Sequence, residues 1–206
     1  MKFKNSLFIT FEGPEASGKS SQIKLLSKFF LKNKIPYLIT REPGGSKVGE
    51  ILRKIILDKK NSISNAEEIL LLMAARLNHI NNIIKPALKK GKVVISDRFA
   101  DSTFVYQGYV NNYGLKEAIN LHKKFLNNFL PNKTFLFLLP AKDINSRIKK
   151  RKVSNKYDKL NLNFHKKVIK GYNLLSSNNK RFYKIDATKN IIDIHDEIIK
   201  KIFKIK

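Results

Sequence analysis

Residues 8–21 read FITFEGPEASGKSS: an apolar run, a glycine-framed loop, then Lys19 and Ser20 where a helix would begin. The run lacks polar alternation, which suits a parallel strand covered on both faces. Gly13 and Gly18 match the spacing G-x-x-x-x-G-K-[ST]. Glycines there permit backbone angles and a close approach that a side chain would block. With a strand before it and a helix after it, the loop has the context in which this spacing cradles phosphates. Its N–H groups and the helix N-terminus would face a triphosphate. Lys19 would reach the outer phosphates, and the Ser20 hydroxyl suits Mg²⁺. A glycine-rich turn that merely joins strand to helix is the plain alternative, and the full spacing argues against it. The motif points to a nucleotide and leaves the reaction open.

Outward from this loop, four more short apolar runs read as strands: 37–40, 93–96, 134–139 and 183–186, after the first at 7–11. Helical spacing occupies roughly 18–32, 47–58, 65–90, 115–128, 141–151, 159–177 and 190–205. Alternating strands and helices predict an α/β domain with a parallel sheet and right-handed crossovers. There is no internal repeat, low-complexity tract or Pro/Gly-rich linker, so one domain over residues 1–206 is expected.

The chain has no cysteine, which excludes a disulfide framework or a thiolate metal site. The four histidines are scattered without metal-ligand spacing and read as surface or core residues. The N-terminal apolar run is too short for a signal peptide, and no stretch approaches the ~20 apolar residues of a membrane span. A soluble, cytoplasmic protein without a membrane partner is the expectation. The formal charge of +26 invites a nucleic-acid reading. Yet only seven of the 42 basic residues are arginine, and the lysines spread along the chain as if on solvated helix faces. No specific nucleic-acid partner is expected; nonspecific attraction to polyanions at low salt is.

In so lysine-rich a chain the arginines are informative, because the planar guanidinium pairs phosphate oxygens bidentately. Arg41 opens REPGG after the second strand, and Arg53 sits in the next helix. Arg76 lies on an apolar helix in LLLMAARLNH, and Arg98 follows the third strand in VVISDRF. Arg147 and Arg151 flank a basic stretch after the fourth strand. Several of these sites adjoin strand C-termini, where an open α/β sheet places its ligand.

The stretches FITFEGPEASGKSSQ, TREPGGSKVGEILRKIIL, AAR, VVISDRFADSTFVYQGY and FHKKVIKGY together resemble the bacterial thymidylate kinases, of the P-loop nucleoside monophosphate kinase group. The likeness is colinear and covers nearly the whole chain. TREPGG and DRF…S…YQG are far more specific than the phosphate loop. The resemblance implies a three-layer P-loop kinase fold with a five-stranded parallel sheet and a mobile lid near 147–158. It also implies a homodimer, Mg²⁺, and transfer of the γ-phosphoryl of ATP to dTMP, giving dTDP.

Carried over by position, ATP would be held by Gly13, Pro14, Glu15, Ala16, Ser17, Gly18, Lys19, Ser20 and Ser21, with Arg147 from the lid. Glu15 would also contact the acceptor sugar, while Arg53 and Arg98 would hold the acceptor phosphate. Asp97 would orient Arg98 and, with Ser20, serve the metal. Arg76 and Gln107 would address the thymine edge, helped by Thr103, and Tyr106 would crowd the sugar 2′ position. Gln107 offers both a donor and an acceptor, as an imide-edged base requires. Two departures stand out. The phosphate loop carries Ala16-Ser17 with no arginine, a pattern that takes its catalytic arginine from the lid. There the family's Asp-Arg pair reads Asn155-Lys156, which leaves Arg151 as the expected transition-state cation beside Lys19, Asp97 and Arg98. Leu72 stands where the family places a Phe that stacks on thymine. Rival readings are another small-molecule kinase on this fold, or a basic P-loop protein that binds polynucleotides without catalysis.

Overall fold

The computed structural model describes residues 6–58, 60–149 and 161–203. β1 (Leu7–Glu12) leads through the glycine loop into α1 (Lys19–Lys32), and β2 (Tyr37–Arg41) into α2 (Lys47–Leu57). α3 (Asn65–His79) runs through a π turn at Ile80–Ile84 into α4 (Lys85–Lys89) and then β3 (Val93–Asp97). α5 (Ala100–Thr103) continues into a second π turn, Phe104–Val110, before α6 (Leu115–Leu126) and β4 (Lys133–Leu138). α7 (Ala141–Lys149), α8 (Leu162–Ser176), β5 (Phe182–Asp186) and α9 (Ile191–Phe203) complete the described elements.

The five strands form one parallel sheet in the order β2-β3-β1-β4-β5. β1 is central, and its residues Phe8, Ile9, Thr10 and Phe11 are all buried, which explains the missing alternation. Its two faces feed two cores. Ile9 and Phe11 pack with Leu26 and Phe30 of α1 and with Ile194 and Ile198 of α9. Phe8 packs with Met73, Ile80 and Ile84 and with Phe99 and Phe104. The result is the expected three-layer α/β fold.

The predicted strands agree with the observed ones to within a residue at each end. The spacing predicts one helix over 65–90; the segment is continuous, but a π turn interrupts it. The larger difference is 100–110, where periodicity indicated no helix. That stretch, ADSTFVYQGYV, is buried nearly throughout, so it has no polar face to mark a helical period. Its coil is set by packing, with Val105, Tyr106 and Val110 against Val168 and Tyr172 of α8. Among the described residues no helix is long and apolar enough to cross a membrane.

Candidate active site

The phosphate loop is shaped by its own backbone angles and internal hydrogen bonds, with one close approach from a distant strand. At Gly13 (φ 132°) a Cβ would run into the Phe137 carbonyl of β4. At Gly18 (φ 92°) the space is open, so the backbone angle and not crowding demands glycine. Ala16 also adopts a left-handed conformation, φ 56°, which costs strain at a residue with a Cβ. Ser17 Oγ donates to the Pro14 carbonyl at 2.9 Å and helps close the turn. Lys19 lies folded into the loop, Nζ donating to the Gly13 and Pro14 carbonyls at 3.0 and 2.6 Å. Burial, with repulsion from Arg98, pulls its ammonium down to about 7. Ser20 Oγ donates to Asp97 Oδ2 at 2.9 Å, because β1 and β3 are neighbours with Phe11 opposite Asp97. From α7, Arg147 bonds the Ala187 carbonyl at 2.9 Å and reaches the Ala16 carbonyl at 3.5 Å, so it rests on the loop.

Beside the loop opens a cleft of about 340 Å³ over the C-terminal ends of β1, β2 and β3. Lys19, Ser20 and Asp97 belong to its lining, and Arg53, Arg98 and Arg41 add three guanidinium groups. Leu72, Arg76, Thr103, Tyr106 and Gln107 line it as well, together with Glu15. All eight residues expected to bind the acceptor therefore meet in one cavity, although they are drawn from positions 15 to 107. Ser21 is exposed at the start of α1.

Three of the four cleft arginines, Arg41, Arg76 and Arg98, are each held by a carboxylate. Arg98 Nη2 donates to Glu15 Oε1 at 2.8 Å, and its guanidinium lies 5.2 Å from the Tyr106 ring centroid. The Tyr106 hydroxyl also donates to Glu15, at 2.8 Å. Burial alone would raise the Glu15 carboxyl, but the charges of Arg98 and Lys19 and the Tyr106 hydroxyl outweigh it and hold it low. The resemblance implies that Asp97 orients Arg98. Among the described residues the two make no ion pair: Asp97 meets Ser20, and Glu15 takes the orienting role. The reason is directional, since Asp97 ends a strand while Arg98 turns away at φ 68°.

Arg76 is almost wholly buried, with Nε donating to Glu42 Oε2 at 2.6 Å and Nη2 to Thr103 Oγ1 at 2.8 Å. His79 Nδ1 shares the other Glu42 oxygen at 2.9 Å, and its Nε2 meets Thr40 Oγ1 at 2.6 Å. Burial opposes ionisation of Glu42, yet Arg76 and His79 more than compensate and hold its carboxyl below the usual range. Arg53 Nη1 donates to the Pro43 carbonyl at 2.7 Å, and Gln107 Nε2 to Glu68 Oε1 at 3.2 Å. Leu72 is buried and faces the cleft rather than only the core. The expected lid beyond Lys149, including Arg151, Asn155 and Lys156, lies outside the described residues.

The family model described as thymidylate kinase matches residues 11–198. The chain belongs to the thymidylate kinase family. It is 41% identical to the thymidylate kinase of Mycoplasma capricolum over 202 residues, covering 96% of this chain and 95% of that one. It is 42% identical to that of Lactobacillus helveticus over 198 residues, covering 93% of each, and 38% identical to that of a Thermoanaerobacter species over 193 residues, covering 93% and 95%. As a thymidylate kinase family member it is an enzyme, and the cleft beside its phosphate loop is the candidate active site. Sequence reasoning missed Glu12, Glu42, His79, Ser102 and Tyr172. Glu12 did leave a trace, as the lone carboxylate closing the apolar run LFITFE.

Proposed function

We propose that the phosphate loop holds ATP, the cleft holds dTMP, and the chain transfers the γ-phosphoryl between them, giving dTDP and ADP for dTTP synthesis. The observation that carries this reading is the continuity of the site. Lys19 and Ser20 share one cavity with Arg53 and Arg98, and those arginines adjoin a pocket bearing Arg76, Thr103 and Gln107. A monophosphate set between the arginines has its base directed into that pocket. Arg76 and Gln107 meet the thymine edge there, and Leu72 covers its ring. Tyr106, fixed by Glu15, stands at the sugar and favours deoxyribose.

Phosphoryl transfer asks the protein for position and positive charge more than for covalent chemistry. Lys19, released from the loop carbonyls, follows the outer phosphates, whose negative charge favours its ammonium form. Arg98 neutralises the acceptor phosphate as it attacks, and Arg151 is the candidate cation on the moving group, with Arg147 steadying the loop. The adjacent oxygens of Ser20 and Asp97 are hard ligands that fit Mg²⁺. A Mg²⁺ ion held by Ser20 and Asp97 would supply positive charge against the ATP phosphates.

We further propose a cytoplasmic homodimer. α2 exposes Val48, Ile51 and Ile55 at helical spacing, and α3 exposes Leu70 and Leu77, an apolar surface that a second copy would cover. Sedimentation of the purified chain tests this. The reaction is tested by ADP release across a panel of nucleoside monophosphates. dTMP should give the highest kcat/KM, and a clear preference for another acceptor would overturn the assignment.

A further inference from the structure

Glu12 ends β1 and is fully buried, outside the lining of the cleft. The carboxylate receives three donors. Phe99 N–H reaches Oε1 at 2.7 Å, while the hydroxyls of Ser102 and Tyr172 reach Oε2 at 2.6 and 3.0 Å. The same two hydroxyls are the partners of Arg98 Nη1, at 3.0 and 3.5 Å, and lie 3.0 Å from each other. A hydroxyl has a single proton. If that proton points to Glu12, a lone pair remains for the guanidinium; if it points to Arg98, donor faces donor. The Phe99 N–H bond adds a second constraint. It fixes the residue that follows Arg98, whose own φ of 68° is costly for a side chain with a Cβ.

We propose that Glu12 is a positioning residue for the acceptor phosphate: it orders the Ser102 and Tyr172 hydroxyls to accept from Arg98 and pins the left-handed turn that presents Arg98 to the cleft. Glu15 holds Nη2 of the same guanidinium directly, so Glu12 governs the opposite edge, two bonds removed. The other charged groups around Glu12 are Asp101 of α5 and Lys19 of α1. Asp101 is engaged by Arg181, so it does not compete for the two hydroxyls. The inference rests on Arg98 binding the acceptor phosphate, as proposed above.

Glu12→Gln is close to isosteric but cannot accept all three donors, since its amide group must face either the hydroxyls or the Phe99 N–H. The KM for dTMP should rise by about tenfold or more, as expected when a hydrogen bond to a charged group is lost. The KM for ATP should stay within about twofold, the split that separates acceptor positioning from general damage. Calorimetric dTMP binding in a double-mutant cycle with Arg98→Lys should show strong non-additivity, because Glu12 acts through Arg98. Tyr172→Phe, which leaves the carboxylate in place, should shift dTMP binding in the same direction by a smaller factor. An unchanged dTMP KM in Glu12→Gln, equal losses for both substrates, or additive effects with Arg98→Lys would overturn the inference. So would a poorly folded Glu12→Gln together with a Tyr172→Phe that binds dTMP normally. A wild-type chain that fails to phosphorylate dTMP would overturn the reading of the reaction and this inference with it; an active wild type with an indifferent Glu12→Gln overturns this inference alone.

Discussion

The phosphate loop and the acceptor cleft share one cavity but are built on opposite plans. In the loop the main chain prepares the site: two glycines set its path, and Lys19 is held by carbonyls within six residues of it. In the cleft side chains do the work, and two guanidinium groups are oriented by carboxylates far away in sequence. Arg98 leans on Glu15 across 83 positions and Arg76 on Glu42 across 34. A main-chain site needs only a correct local turn. A site made of buried charges needs every partner in place, because a buried charge left unpaired is costly. The loop should therefore keep its shape when side chains are trimmed, whereas the cleft should lose geometry along with charge.

Lys19→Ala tests the first half most severely. Turnover should fall by on the order of 10²–10³-fold, the scale of a lost electrostatic contact at the reacting group. The thermal unfolding midpoint should hardly move, because the glycines and carbonyls that shape the loop remain. Near-normal turnover would break the assignment of this loop to the donor phosphates. Arg98→Ala should cost about 10²-fold in turnover. Unlike the loop variant, it should also raise the dTMP KM, since Glu15 and Tyr106 lose their shared partner. A change confined to stability would make Arg98 a structural ion-pair residue and erase the contrast.

Leu72→Phe sharpens the comparison at the base. An aromatic ring adds about 0.5–1.5 kcal/mol beyond its area when it stacks. Binding of dTMP should tighten by a few-fold to about tenfold, with an unchanged preference for dTMP over dCMP. Unchanged affinity, or lost stability from overpacking, would remove Leu72 from the base contact.

The smallest effect is in stability against pH. Burial, followed by the nearby Asp101 charge, pushes the Glu12 carboxyl up to about 7 from its ordinary 4.5. A folded-state value above the unfolded one means the native protein holds the proton more tightly. The stabilisation linked to Glu12 is therefore full below about pH 4.5 and is lost as pH rises through about 7. The midpoint difference between wild type and Glu12→Gln should fall by a few degrees across that window, measured by calorimetry. A flat difference would show that the carboxylate ionises without cost.

These contrasts also explain what could be read in advance. Gly13, Gly18, Lys19 and Ser20 are contiguous and work through the main chain, so their spacing alone declares a phosphate loop. The cleft arginines were visible as rare guanidinium groups near strand ends. Glu42, which fixes Arg76, was not, because a carboxylate in REPGG looks like any turn residue until α3 packs against it. The segment 100–110 carried a motif but no helical period, for a related reason. A stretch buried on all sides carries no periodic signal, although it supplies Ser102, Thr103, Tyr106 and Gln107.

By itself the sequence determined the phosphate-loop spacing and the parallel α/β class, since each is written in a local pattern, while the resemblance to a family named the residues expected on the acceptor side. The tertiary structure alone decided which groups hold them. The resemblance implies that Asp97 orients Arg98, yet the turn at φ 68° directs Arg98 to Glu15 and leaves Asp97 to Ser20. Glu12 acquires its role from Tyr172, 160 positions away, because α8 lies against the π turn that follows α5. Hydrogen bonds at that separation depend on strand order and helix packing, and no local pattern encodes their direction.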